Sequence, residues 1–182
     1  MPYCISEVRH REFPAANAVS AAFATMGLSL DDVLAAFRGY ICPLAPTTGR
    51  GYLADLAEDI KGYLEKTLAR DGLRPTRNRQ FLTYSRALPE HAGFGLVHER
   101  SNRTVFFEVE FRPNFERDLI NFQIAAGEGT LAAAVMVTSI DPRSIDAMLA
   151  TMPSYESVTK VIEALRPTYP LIVVGLRGSH AA

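Results

Sequence analysis

The chain predicts an α/β fold, a mixed central sheet flanked by helices, and three observations carry that reading. Short apolar runs, Val105–Phe111, Val135–Ser139 and Leu171–Leu176, read as strands. Between them lie segments whose apolar residues recur at helical spacing. The order strand, helix, strand, helices, strand is that of a sheet covered on both faces. With 182 residues, 48% hydrophobic and 21% charged, the whole span 1–182 suits one domain with its own core.

From the N-terminus, an alanine-rich segment from about Ala15 to Met26 predicts a helix stopped by Gly27. Ser29-Leu30-Asp31-Asp32, followed by Val33, Leu34 and Phe37, predicts a second helix capped by Ser29 and ended at Gly39. Pro43, Pro46 and the Thr47–Gly51 segment interrupt the pattern and predict a loop. From Tyr52 to Arg70, Leu56, Ile60, Leu64 and Leu68 recur at fourfold spacing, a long helix closed by Asp71-Gly72. Its acids Asp55, Glu58, Asp59 and Glu65 mostly decorate a solvated face. Leu73 to Arg86 interleaves Arg74, Arg77, Arg79 and Arg86 with Phe81 and Tyr84. That composition fits a phosphate-contacting surface, and equally a solvated arginine-rich strand.

A hairpin follows, from about Phe94 to Arg100 and from Arg103 to Phe111, turning at Ser101-Asn102. Asn114–Leu119 opens a helix whose apolar side includes Leu119, Phe122 and Ile124 and which ends at Gly127 and Gly129. Val135–Ser139 is then a strand, Arg143–Thr151 a short helix, Ser154–Arg166 another helix and Leu171–Leu176 the last strand.

Charge narrows the function. A formal net charge of -1 argues against a chain that coats nucleic acid without preference, yet leaves room for a locally basic groove. Nine of the 19 Lys and Arg residues are the arginines at 70, 74, 77, 79, 86, 100, 103, 112 and 117. Cys4 and Cys42 are too few for a disulfide framework, and the N-terminus lacks the pattern of a secretion signal. No apolar stretch reaches membrane-spanning length, so a reduced, cytoplasmic protein is expected.

Within Val105–Phe111, Glu108 and Glu110 stand two residues apart and share one face, while Phe107, Val109 and Phe111 share the other. Neighbouring carboxylates repel, and water, a base or a cation must relieve the repulsion. A strand with one face in solvent shows the same alternation, so the pair alone leaves a wet face and a metal site both open. His10, His91, His98 and His180 are scattered, and His98 reads as a surface or packed residue.

The order Glu108-x-Glu110-Phe111, then Arg117-Asp118-Leu119 on the next helix, then a Val-rich strand ending at Thr138-Ser139, resembles type II restriction endonucleases of the BglII, BstYI and BamHI kind. The resemblance runs from about Ile60 to Leu176. It implies a restriction-endonuclease-like core in which an acid, eight residues and then Glu-x-Gln or Glu-x-Glu hold a divalent cation. Counting back from Glu108 reaches Glu99 where the family usually has Asp, and an offset alignment reaches Gly95.

The implied cofactor is Mg²⁺, with Mn²⁺ able to substitute. It is a hard ion suited to oxygen ligands, here Glu99, Glu108 and the carbonyl of Val109. Glu110 is expected to position or deprotonate the attacking water. The segment after this strand carries a base-reading residue in the family. Here it is Arg112-Pro113-Asn114, with Pro113 where relatives place Asn or Lys. Arg112 could pair with guanine or phosphate and Asn114 with adenine. With Arg77 and Arg79 they form the expected contacts to double-stranded DNA. A homodimer matching a palindromic site is expected, as is a companion methyltransferase acting on that site. The rival reading is a catalytically inactive DNA-binding protein that keeps the nuclease fold.

Overall fold

The apolar runs become the centre of one seven-stranded sheet. The computed structural model describes residues 3–42, 50–77, 94–109, 115–140 and 154–180. In chain order the elements are β1 (Tyr3–Phe13), α1 (Ala18–Ala24), α2 (Leu30–Arg38), β2 (Ile41–Cys42), α3 (Arg50–Leu68), β3 (Leu73–Thr76), β4 (Phe94–His98), β5 (Thr104–Val109), α4 (Phe115–Gly127), β6 (Leu131–Ser139), α5 (Tyr155–Leu165) and β7 (Leu171–His180). The strand order is β2-β1-β7-β6-β5-β4-β3. β5, β6 and β7 run parallel, and the other pairings are antiparallel. The expected α/β fold with a mixed, two-sided sheet is therefore what forms.

Each face has its own apolar layer. On one, α1, α2 and α3 pack Phe23, Phe37, Ile60 and Leu64 against Phe94, Leu96, Val105, Phe107, Val135 and Val174. On the other, α4 and α5 pack Phe122, Val158 and Ile162 against Phe106, Ala134, Met136 and Val173. Alternation along β5 sends Phe106 one way and its neighbours Val105 and Phe107 the other. Phe107 stacks on Phe94 of the adjacent strand, with ring centroids 4.5 Å apart. All nine residues of β6 are buried, as a central strand covered on both faces requires.

Capping chemistry fixes the helices. Ser29 accepts a bond from the Asp32 amide and Ser154 one from the Ser157 amide. The α1 segment is shorter than the sequence suggested. The chain passes Pro14 and turns at Asn17, whose φ is 67°, and Glu12 of β1 accepts from the Val19 and Ser20 amides at 2.9 and 3.1 Å.

The strand β1 was not anticipated. Its run carries Glu7, Arg9, His10, Arg11 and Glu12, and an apolar pattern is hard to see among them. It forms because β7 offers a long antiparallel partner, from Tyr3 opposite His180 to Phe13 opposite Leu171. Neither cysteine is in a disulfide; Cys42 is buried and Cys4 half-buried. The expected loop at 43–49, the helix at 143–151 and the 78–86 part of the basic segment lie outside the described residues.

Candidate active site

Residue alternation on β5 places Thr104, Phe106 and Glu108 on the α4/α5 face. Glu108 is only 8% exposed and sits opposite Met136 in the parallel ladder. A carboxylate so buried is not part of a wet strand face. β5 ends at Val109 and β6 at Ser139, so the C-terminal ends of two parallel strands meet beside it. In open α/β sheets that end is where ligands bind.

Glu99 is not brought to this point. Val97 pairs with Thr104 as the last register pair before the turn, and Glu99 is exposed in the turn itself. The Glu99 amide donates to the Gly72 carbonyl at 3.0 Å, which ties it to the β3 end of the molecule. Glu108 lies four residues up β5 from Thr104, roughly 13 Å at strand rise. Ligand oxygens stand about 2.1 Å from a shared Mg²⁺, so Glu99 and Glu108 do not close on one ion. The eight-residue spacing counts residues along the chain, but the hairpin folds between them. Gly95, the offset position, pairs with Phe106, and a Cβ there would stand 2.7 Å from the Thr104 methyl.

Arg77 is half-buried and engaged by its own fold. Its Nε donates to Glu65 at 2.6 Å and its Nη1 to Glu58 at 3.0 Å, both on α3. Contact with a phosphate would require it to share or leave these partners. Glu110, Arg79, Arg112 and Asn114 lie outside the described residues, while Val109 is described, with its side chain buried toward α3 and its carbonyl on the backbone next to Glu108. His98 bonds the Ser101 hydroxyl at 2.9 Å and shapes the turn.

Other polar residues share the buried layer of Glu108. Asp118 and Asn121 of α4 are 3% and 6% exposed, and Thr138 of β6 is 2% exposed. Sequence reasoning quoted Asp118 without giving it a role. Its signal was an acid on the apolar side of an amphipathic helix, beside Leu119 and Phe122. At the same end of the sheet, α5 sits close on β7. A Cβ on Gly175 would come within 2.7 Å of the Tyr155 ring, so glycine is what admits it. Nearby, Glu7 bridges Arg9 and Arg177 at 2.7 Å each, and the hydrogen bond from Arg9 holds the Glu7 carboxyl below the usual carboxylate range.

Among the described residues, no three His, Cys, Asp or Glu side chains gather as a metal-holding group. The Glu108 carboxylate and the Val109 carbonyl are nonetheless hard oxygen donors of the type Mg²⁺ takes.

The family model of restriction endonuclease BglII/BglIII matches residues 8–176. The chain belongs to this family. It is accordingly a type II restriction endonuclease, a site-specific deoxyribonuclease. Among solved structures it is similar to free BglII, at 9% identity and a TM-score of 0.46, over 97% of this chain and 82% of that one. No curated protein matches it. No helix among the described residues is long and apolar enough to cross a membrane.

Proposed function

We propose that this restriction endonuclease hydrolyses both strands of double-stranded DNA at a specific sequence with Mg²⁺, Mn²⁺ substituting. The observation that carries the reading is the buried Glu108 carboxylate at the C-terminal end of β5. A carboxylate kept there forgoes hydration, a cost offset when it holds a cation. When bound, the cation lowers the pKa of a water, orients the scissile phosphate and offsets charge in the in-line transition state. Glu108 and the Val109 carbonyl would hold the ion, with Phe106 and Met136 as apolar neighbours that fix the Glu108 carboxylate. Glu110 positions the attacking water and takes its proton.

Arg112 and Asn114 follow this strand directly and serve as base-edge or phosphate contacts, with Arg77 and Arg79 on the backbone. The working form is a cytoplasmic homodimer, since a two-fold protein reads a palindromic site. The α4 and α5 helices leave Ile120, Val161 and Leu165 at 44%, 38% and 61% exposed, a surface suited to a second copy. A companion methyltransferase would protect the same site in the host.

The placement of Glu99 favours one other reading, a lapsed enzyme that binds DNA and no longer cuts it. Incubating purified protein and Mg²⁺ with varied DNA, methylated and unmethylated, separates the two. Discrete fragments support the enzyme, whereas salt-sensitive binding without cleavage supports the lapsed form.

A further inference from the structure

The face of the sheet that carries Glu108 holds a second polar group at the same end, on β7 and β1. Along β1, Arg9 and Arg11 alternate with Phe13, a member of the α4/α5 layer, so both stand on the Glu108 face. The contacts agree. Arg11 pairs with Glu163 of α5 at 2.6 Å, and Arg9 lies opposite Gly175, the glycine that admits the Tyr155 ring of α5. Arg177 stands two residues beyond Gly175 on the same side of β7, opposite Glu7 of β1.

The strand registers set their heights. Glu108 is level with Met136 and, through it, with Val173. Arg9 is therefore two residues nearer the C-terminal ends of the parallel strands than Glu108, and Arg177 four. With the spacing between strands included, both backbones come out roughly 16 Å from Glu108. That span is about five base-pair steps of a duplex.

Glu7 holds the two guanidiniums as a unit, its Oε1 accepting from Arg9 Nε and its Oε2 pairing with Arg177 Nη1, each at 2.7 Å. This takes one nitrogen of each fork. A guanidinium carries five N–H donors, and the two side chains stay 44% and 39% exposed. Arg11, deeper on the same strand, lies over the Phe13 ring at 5.2 Å besides its bond to Glu163. Glu156 of α5 also acts on Arg9, so with Glu7 the acids balance the arginines and the cluster is no diffuse basic patch. It offers instead two oriented forks, which match phosphate oxygens in geometry as well as charge.

We propose that Arg9 and Arg177 grip the DNA backbone at phosphates away from the scissile bond, with Glu7 orienting the pair. This rests on the proposed function, since DNA must lie across the Glu108 end of the sheet to reach them. Such contacts fix the register of the duplex and carry no sequence information.

The test is binding of the full chain to a mixed-sequence duplex in chelator over a series of KCl concentrations, with melting temperature as the control for folding. Arg9→Ala and Arg177→Ala each weaken affinity about tenfold and flatten the slope of log affinity against log salt by roughly 0.9. Arg11→Ala leaves the slope unchanged. Glu7→Gln breaks the same bridges but frees both forks, so it binds DNA at least as tightly as the unmodified protein does. Weakened binding by Glu7→Gln marks a merely structural trio and overturns the proposal. An unchanged slope in either folded arginine variant, or an equal fall in Arg11→Ala, overturns it too. Should the arginine variants fail to fold, Glu7→Gln decides alone by the same criterion. Each of these results leaves the proposed function standing, whereas no salt-dependent duplex binding and no cleavage by the unmodified protein overturns both.

Discussion

Replacing Glu108 and Glu99 in turn by glutamine separates the two acids that the sequence spacing pairs. Glu108→Gln keeps side-chain volume in a site only 8% exposed, so packing against Phe106 and Met136 survives and the charge alone is lost. Removing a single preorganised electrostatic contact from an active site costs about 10²–10³ in rate. A direct ligand of the cation lies at the upper end, about 4 kcal/mol at 1.36 kcal/mol per decade. Glu99 stands beyond the Thr104 end of β5, and a unit charge about 13 Å from a divalent ion in water contributes only roughly 0.6 kcal/mol. Salt screening with a Debye length of about 8 Å reduces that severalfold. Glu99→Gln therefore changes cleavage less than about twofold. The assay is linearisation of supercoiled plasmid under Mg²⁺, with DNA affinity and melting temperature measured alongside. Equal losses in both variants would refute the hairpin register, and near-normal cleavage by Glu108→Gln would refute its role.

Other outcomes follow from the packing and the charge network. Phe107→Ala removes a fully buried ring stacked on Phe94 and costs about 3–5 kcal/mol, seen as a melting temperature lower by roughly 10 °C. Tyr169→Phe deletes a buried hydroxyl that donates to the Leu119 carbonyl at 3.2 Å, costing about 1 kcal/mol in thermal unfolding. Leu165→Glu places a charge on the exposed apolar side of α5 and yields a folded monomer by sedimentation, with double-strand cleavage reduced. Hydrogen bonds from Arg70 and Ser29 hold the Asp32 carboxyl below its ordinary value. A depressed folded-state pKa stabilises above the unfolded pKa and is lost as pH falls through the folded one. The thermal deficit of Asp32→Asn at neutral pH thus closes on acidification, and a deficit independent of pH would contradict that origin.

Elements buried by their own pattern were legible in the sequence. Leu56, Ile60, Leu64 and Leu68 announced α3, and the unbroken apolar run announced β6, because burial on one stripe or on both faces leaves a periodic mark. β1 left no such mark. Its order comes from a partner strand at the other end of the sequence, as the Ser6 hydroxyl bond to the Arg177 carbonyl, 171 residues away, illustrates. Such non-local pairing is invisible to local propensity. The site was legible in the same uneven way. Alternation placed Glu108 and Val109 on opposite faces, but counting residues placed Glu99 beside Glu108, and only the register of a hairpin tells which residues face each other. Arg77 looked like a phosphate contact from composition, yet Glu58 and Glu65 reach it from α3. Asp118 stands among the apolar residues of its helix, and its burial at 3% exposure became plain only in the folded layer.

The most direct test of the account is digestion of a defined set of plasmids by the purified, metal-free protein, with and without added Mg²⁺. The account predicts no cutting without the ion and, with it, a fixed set of double-strand ends that map to one recurring sequence. Cleavage that persists in chelator, or DNA that stays intact with Mg²⁺ and Mn²⁺ while the protein binds neither ion, would contradict it.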